Sequence, residues 1–229
     1  MGGWVADTAE VEPGVIIDAA AMVFGRAKVL HHAEIRDSAR VFDNANVRGE
    51  ARIAKYAQVC GNAWVNEMGR VDGTAIVTDD AHVFGHALVS GGSKIGGDAK
   101  VWGEAIVTGN AHIFQSAIIR DNAVVRDEAS VCGGALVARF AKVSGIASIS
   151  GNATICDNAE IKDNVQVFGE AVIGHKTVVG GQIKVGGTAK LFLDATEPIM
   201  EDMELLAGTQ YGKERGVVQL LQLDDDIGF

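Results

Sequence analysis

An aliphatic residue occupies every sixth position from Val5 to Leu191, 32 times in succession without a slip of register. Six is a multiple of the two-residue alternation of a strand and does not fit the 3.6-residue turn of a helix. Two residues before most of these positions stands Ala, as at Ala21, Ala27, Ala33 and Ala39. The replacements are few and mostly small or β-branched: Val15, Gly69, Ser93, Val165, Thr177 and Ile183. Ala and the aliphatic residue lie two apart, so both point to one side of a strand. The residues before and after the aliphatic point to the other side, and they vary freely. A pair such as Asp43-Asn44, Gly61-Asn62 or Asp157-Asn158 follows. Gly, Asn and Asp tolerate positive φ, so the pair is a corner. Each hexad is therefore a short strand plus a turn.

So short a strand cannot bury its face alone, and the coils must stack. The period does not say how many hexads make a coil. A right-handed or a four-sided solenoid has the same period. The unit Ala-x-Val/Ile-x-Gly/Asp-Asn resembles the hexapeptide repeat of left-handed parallel β-helix proteins. That resemblance implies three hexads per 18-residue coil, a narrow triangular core and ten to eleven coils. At about 4.8 Å per coil the prism is roughly 50 Å long. The chain then divides into an all-β, left-handed parallel β-helix over 1–195 and a capping or docking tail over 196–229. In the tail, Pro198 to about Leu206 reads as a short helix stopped by Gly208, and Val217 to Leu223 as a loose strand.

Composition narrows the function classes. Of 229 residues, 29 are Gly and only 2 are Pro, which suits many tight turns. The net charge of −10 opposes sequence-independent nucleic-acid binding, so no nucleic-acid partner is expected. No run approaches about 18 apolar residues, so no membrane span is expected. Cys60, Cys132 and Cys156 form no CxxC pair, which suits a reducing compartment. The amino-terminal stretch has no basic and apolar signal, so a cytoplasmic location is expected, or a virion if the chain is phage-encoded.

Sorted at 18 residues per coil, the outward positions fall on three faces. The first carries Phe24, Phe42, Phe114 and Phe168. The second carries Phe84 and Trp102, with Trp64 and His82 beside them. The third carries Arg36, Asp72, Arg126 and Lys162, with Glu34, Arg52, Arg70, Lys142 and Glu160, and reads as solvated. A monomer should not expose so many aromatics. The expectation is a homotrimer packed through the faces bearing Phe24, Phe42, Phe84, Trp102, Phe114 and Phe168, the tail being the alternative cover.

Six histidines are the candidate chemical groups. His32 and His86 share a corner but lie three coils apart, roughly 14 Å, too far to hold one metal within a chain. No metal site is expected, although carbonic anhydrases of this repeat class bind metal through three His from two subunits. His82 and His86 are the candidate general bases, on one mid-prism coil beside Phe84 and Trp102. Asp79 and Asp80 precede that coil and read equally as a turn. The Gly pairs at 91–92, 133–134 and 180–181 are corners rather than phosphate loops. Thr78, Thr108 and Thr154 are too scattered for an ice-binding ladder.

Gly2-Gly3-Trp4-Val5, the run from Asp18-Ala19 to Met22-Val23-Phe24-Gly25 and the repeated Asn-Ala-x-Val-x-Gly units resemble YdcK-type hexapeptide-repeat proteins of bacteria and phages. The resemblance implies an acyltransferase that uses acetyl-CoA or another acyl-CoA, with a His base in a groove between subunits of a trimer. In that type a leader precedes Gly-Gly-Trp-Val, and its absence before Gly2 is expected to set this chain apart; no loop interrupts the repeat from Trp4 to about Ala195. A non-catalytic trimeric rod, structural or binding and possibly phage-encoded, is the alternative.

Overall fold

The computed structural model describes residues 2–193, 199, 204–206 and 210–211. Across them run 34 short strands, most of two residues, in three parallel sheets. The first face starts at Trp4–Val5, the second at Glu10–Val11 and the third at Ile16–Ile17, with 12, 12 and 10 strands. Each strand pairs with the one 18 residues on, as Trp64 with His82 and Val65 with Val83. The chain is thus an all-β, three-sided parallel solenoid of about eleven coils.

The core is thin because its side chains are small. Ala and Val or Ile alternate around each coil at zero exposure, from Ala21 to Leu191. The largest fully buried side chains are Ile and Leu, never an aromatic. Each buried Val or Ile contributes about 1.5–3 kcal/mol relative to exposure. Two polar residues take Ala positions and are satisfied locally. Ser93 donates its hydroxyl to the Ser90 carbonyl, and Thr177 donates to Gly174 at 2.7 Å and accepts the Leu193 N–H at 2.8 Å.

The corners follow a rule that the residue types only hint at. Every sixth residue from Gly25 to Gly187 has positive φ, and 13 of these are not Gly. An L-residue in that conformation costs about 1–2 kcal/mol. Asp stands there seven times: Asp37, Asp43, Asp79, Asp121, Asp127, Asp157 and Asp163. In each case its carboxylate accepts the backbone N–H of the corner residue one coil on, at 2.9–3.1 Å. Glu67 does the same for Gly85 at 2.8 Å. The exposed corner amide has no strand partner, and the carboxylate supplies one.

Both ends depart from the pattern. In the first coil Pro13 holds the corner position, where its ring forbids positive φ, and Gly14 takes the turn at 99° instead. Val5 is 38% exposed there, although it stands in the core register. At the other end the expected helix does not form at the described residues. Ile199 bridges Val179, Glu204–Leu205 pairs with Lys184–Val185, and Gln210–Tyr211 pairs with Lys190–Leu191, all in parallel. The interval to the previous coil has grown from 18 to 20 residues. An open sheet edge offers backbone partners that one or two turns of helix cannot match. Ile199, Leu205 and Tyr211 still stand six apart, so the repeat resumes after a two-residue slip. The strand expected over 217–223 lies outside the described residues.

Candidate functional site

His82 and His86 follow one another on a coil but do not share a site. His82 is outward on the second face, half-buried between Trp64 and Lys100 in its ladder. Its ring stacks on Trp64, with centroids 5.7 Å apart. Burial lowers the pKa of its imidazole and the Lys100 ammonium lowers it further, while Asp80 and Asp98 pull the other way. His82 is therefore neutral at neutral pH.

His86 stands around the corner, exposed on the edge between the second and third faces. It lines a shallow groove with Gly49, Glu50, Glu67, Met68 and Gly85. The groove exists because Gly49 and Gly85 leave the edge bare, while Glu67 is turned inward to accept the Gly85 N–H. Its own backbone N–H is held by Gly103 at 2.7 Å, so the ring projects from a fixed corner. The corner at Gly85, with φ of 69°, stands between them and turns His86 off the face that carries His82.

The other histidines are dispersed. His31 and His32 are exposed on the second edge, His112 rests edge-on against Phe114, and His175 edge-on against Phe192. Among the described residues, no group of three or more His, Cys, Asp and Glu is placed to hold a metal ion. A second depression that the sequence does not reveal is lined by Arg139, Asp157, Asn158, His175 and Lys176. There the His175 backbone N–H and the Arg139 guanidinium hold the Asp157 carboxyl below its usual range.

The aromatic ladders turn out to be covered from within. Phe24 stacks on Phe42 at 4.8 Å and 2°, and Phe84 on Trp102 at 5.8 Å and 5°. Arg48 lies over Trp64 at 4.6 Å and Arg120 over Trp102 at 5.7 Å. Phe114 lies against Gly96, where a Cβ would come to 3.2 Å from the ring, and Phe168 against Gly186, where a Cβ would collide with it. The six aromatics expected at a trimer interface are all half-buried. They also divide between two edges. Phe24, Phe42, Phe114 and Phe168 flank the edge between the first and second faces, and Phe84 and Trp102 the edge between the second and third.

The third face, expected to be largely charged and solvated, also carries Leu88, Ile106 and Val124 on three successive rungs. Ile106 is exposed. Tyr56, Met68, Phe140 and Ile146, all exposed, stand on the two edges that bound this face. Of the charged residues counted from the sequence, Arg126 stands exposed on the Val124 rung and the others occupy the rungs below and above this centre.

No family model and no curated protein matches the chain. The solved structures that resemble it include two acyltransferases. One is a UDP-N-acetylglucosamine acyltransferase of Arabidopsis, at 14% identity and a TM-score of 0.34, covering 88% of this chain and 69% of that one. The other is a UDP-N-acetylglucosamine O-acyltransferase of Moraxella catarrhalis, at 16% identity and a TM-score of 0.27, covering 80% and 71%.

Proposed function

We propose that the chain is an acyl-CoA-dependent acyltransferase with His86 as its general base, working where two copies meet. The observation that carries this reading is the placement of His86. It is the exposed imidazole of the two candidates, it lines a groove, and Met68 gives that groove an apolar wall. His82 is half-buried and stacked on Trp64. In the reaction, the imidazole takes the proton of an acceptor N–H or O–H. The acceptor attacks the thioester carbonyl, the C–S bond breaks, and the proton passes to the departing thiolate. Glu50 and Glu67 make the groove acidic, which favours a cationic amine as acceptor and keeps phosphates away from the base.

Calorimetric titration of acetyl-CoA tests the reading. Binding is expected in the wild type, and turnover with an amine acceptor is expected to fall at least 100-fold in His86→Ala and little in His82→Ala. No binding at millimolar ligand sinks it.

A non-catalytic rod is the second reading, favoured by the 18-residue register that all three sheets keep without a loop as far as Leu193. It predicts no acetyl-CoA binding and wild-type assembly in His86→Ala.

A further inference from the structure

We infer that the third face is the docking surface for a second copy of the chain, related by a two-fold axis at Ile106 that runs the two prisms antiparallel. Among the described residues, the large apolar side chains exposed in the middle coils lie on this face or its edges, and the first face exposes Trp4 and Val5 only at its first rung. An apolar sheet centre with charged ends has the anatomy of an interface.

The order of residues on the face says what covers it. Read along one ladder, successive rungs carry Arg52, Arg70, Leu88, Ile106, Val124, Lys142 and Glu160. Reversal of this ladder about Ile106 sets Ile106 on itself, Leu88 on the partner's Val124, and Arg52 on the partner's Glu160. The neighbouring ladder is equally compatible. Asp72 meets the partner's Ser144, Arg126 meets the partner's Ser90, and Lys162 meets the partner's Ala54. Two like-charge oppositions arise: Arg70 against the partner's Lys142, with Asp72 on the Arg70 rung beside it, and exposed Glu104 against the partner's Glu104 on the edge. Along the edge, Met68 meets the partner's Phe140, the same two rungs from the axis. A parallel pairing instead sets Ile106 on Thr108 and Val124 on Arg126, so its apolar centre is lost. The nine overlapping rungs from Glu34 to Val178 span eight spacings and give a patch about 38 Å long. With both edges it covers roughly 750 Å², a little under the roughly 800 Å² per partner of a stable dimer.

The pairing also completes the groove. The partner's Asn122 falls opposite His86 and the partner's Phe140 opposite Met68, so the open side of the groove gains a wall from the second copy. The dimer itself does not rest on the acyltransferase reading.

Sedimentation equilibrium of the full chain at micromolar concentration is expected to give twice the 23.9 kDa chain mass. Ile106→Arg is expected to weaken association at least 100-fold with an unchanged circular dichroism spectrum. Ile118→Arg, outward on the second face, should leave the dimer intact. Ile106→Cys is expected to form a covalent dimer under mild oxidation, and the wild type, whose cysteines lie on the first two faces, is not. A monomeric wild type overturns the inference, as does a trimer indifferent to Ile106→Arg or a dimer that Ile106→Cys fails to cross-link. A dimer that binds no acetyl-CoA overturns only the enzymatic reading. A monomer that binds it overturns only the pairing.

Discussion

The second and third faces are built on the same frame and treat their outward side chains in opposite ways. On the second face Trp64 lies between Arg48 and His82, and Trp102 between Phe84 and Arg120, so the rings are covered by their own ladder. On the third face Leu88, Ile106 and Val124 are branched aliphatics that cannot stack face to face, and Ile106 is exposed. A large flat ring placed 4.8 Å from another ring buries itself within one chain, whereas a small aliphatic needs a second surface. The stacked rings are therefore internal zippers, whereas the exposed Ile106 is not covered within the chain.

Trp102→Ala should break the comparison most sharply. Loss of its burial and of both stacking partners is expected to cost about 2–4 kcal/mol in urea unfolding of the wild-type rod. A cost near zero means that the rings stabilise nothing within the chain. Gly186→Ala comes next. Its Cβ falls on the Phe168 ring, and the ring must swing away, at about 1–2 kcal/mol. Ile106→Ala should change the unfolding midpoint of the isolated chain by less than about 0.5 kcal/mol while weakening association. A large intrinsic loss would mean that the aliphatic rungs support the chain as the rings do.

Titration sharpens the contrast further. The folded His82 imidazole takes its proton at lower pH than the unfolded one, whose ordinary value is 6.5. The unfolded chain therefore binds more protons below that value, and stability should fall as pH drops through about 6.5. His82→Gln should flatten that part of the profile in pH-dependent unfolding. The lowered carboxyls of Asp18 and Asp157 contribute stability above the ordinary value of 3.8, and it is lost as pH falls through and below that value. The smallest effect concerns the cysteines. Burial raises the Cys60 and Cys156 thiols, so both should react with iodoacetamide at neutral pH more slowly than a free thiol.

Much of the fold is legible in single residues. Val at every sixth position gives the core, Ala two before it gives the narrow waist, and Asp-Asn pairs give the corners. The candidate site is less legible. His82 and His86 look alike in sequence, both outward and both next to aromatics. They differ because one precedes a core Val on a flat face and the other follows a corner Gly. The carboxyl-terminal coil was hidden by two extra residues, although Ile199, Leu205 and Tyr211 keep the spacing of six.

The sequence by itself determined the period, the direction in which each side chain points and the composition of the core, because those depend on neighbours two to six residues away. Only the tertiary structure decided which outward residues are covered. The contacts that cover them come from the next coil, 18 residues along the chain. Asp157 accepts from His175, Trp64 rests on His82, and Ile106 stands between Leu88 and Val124 with no ring over it.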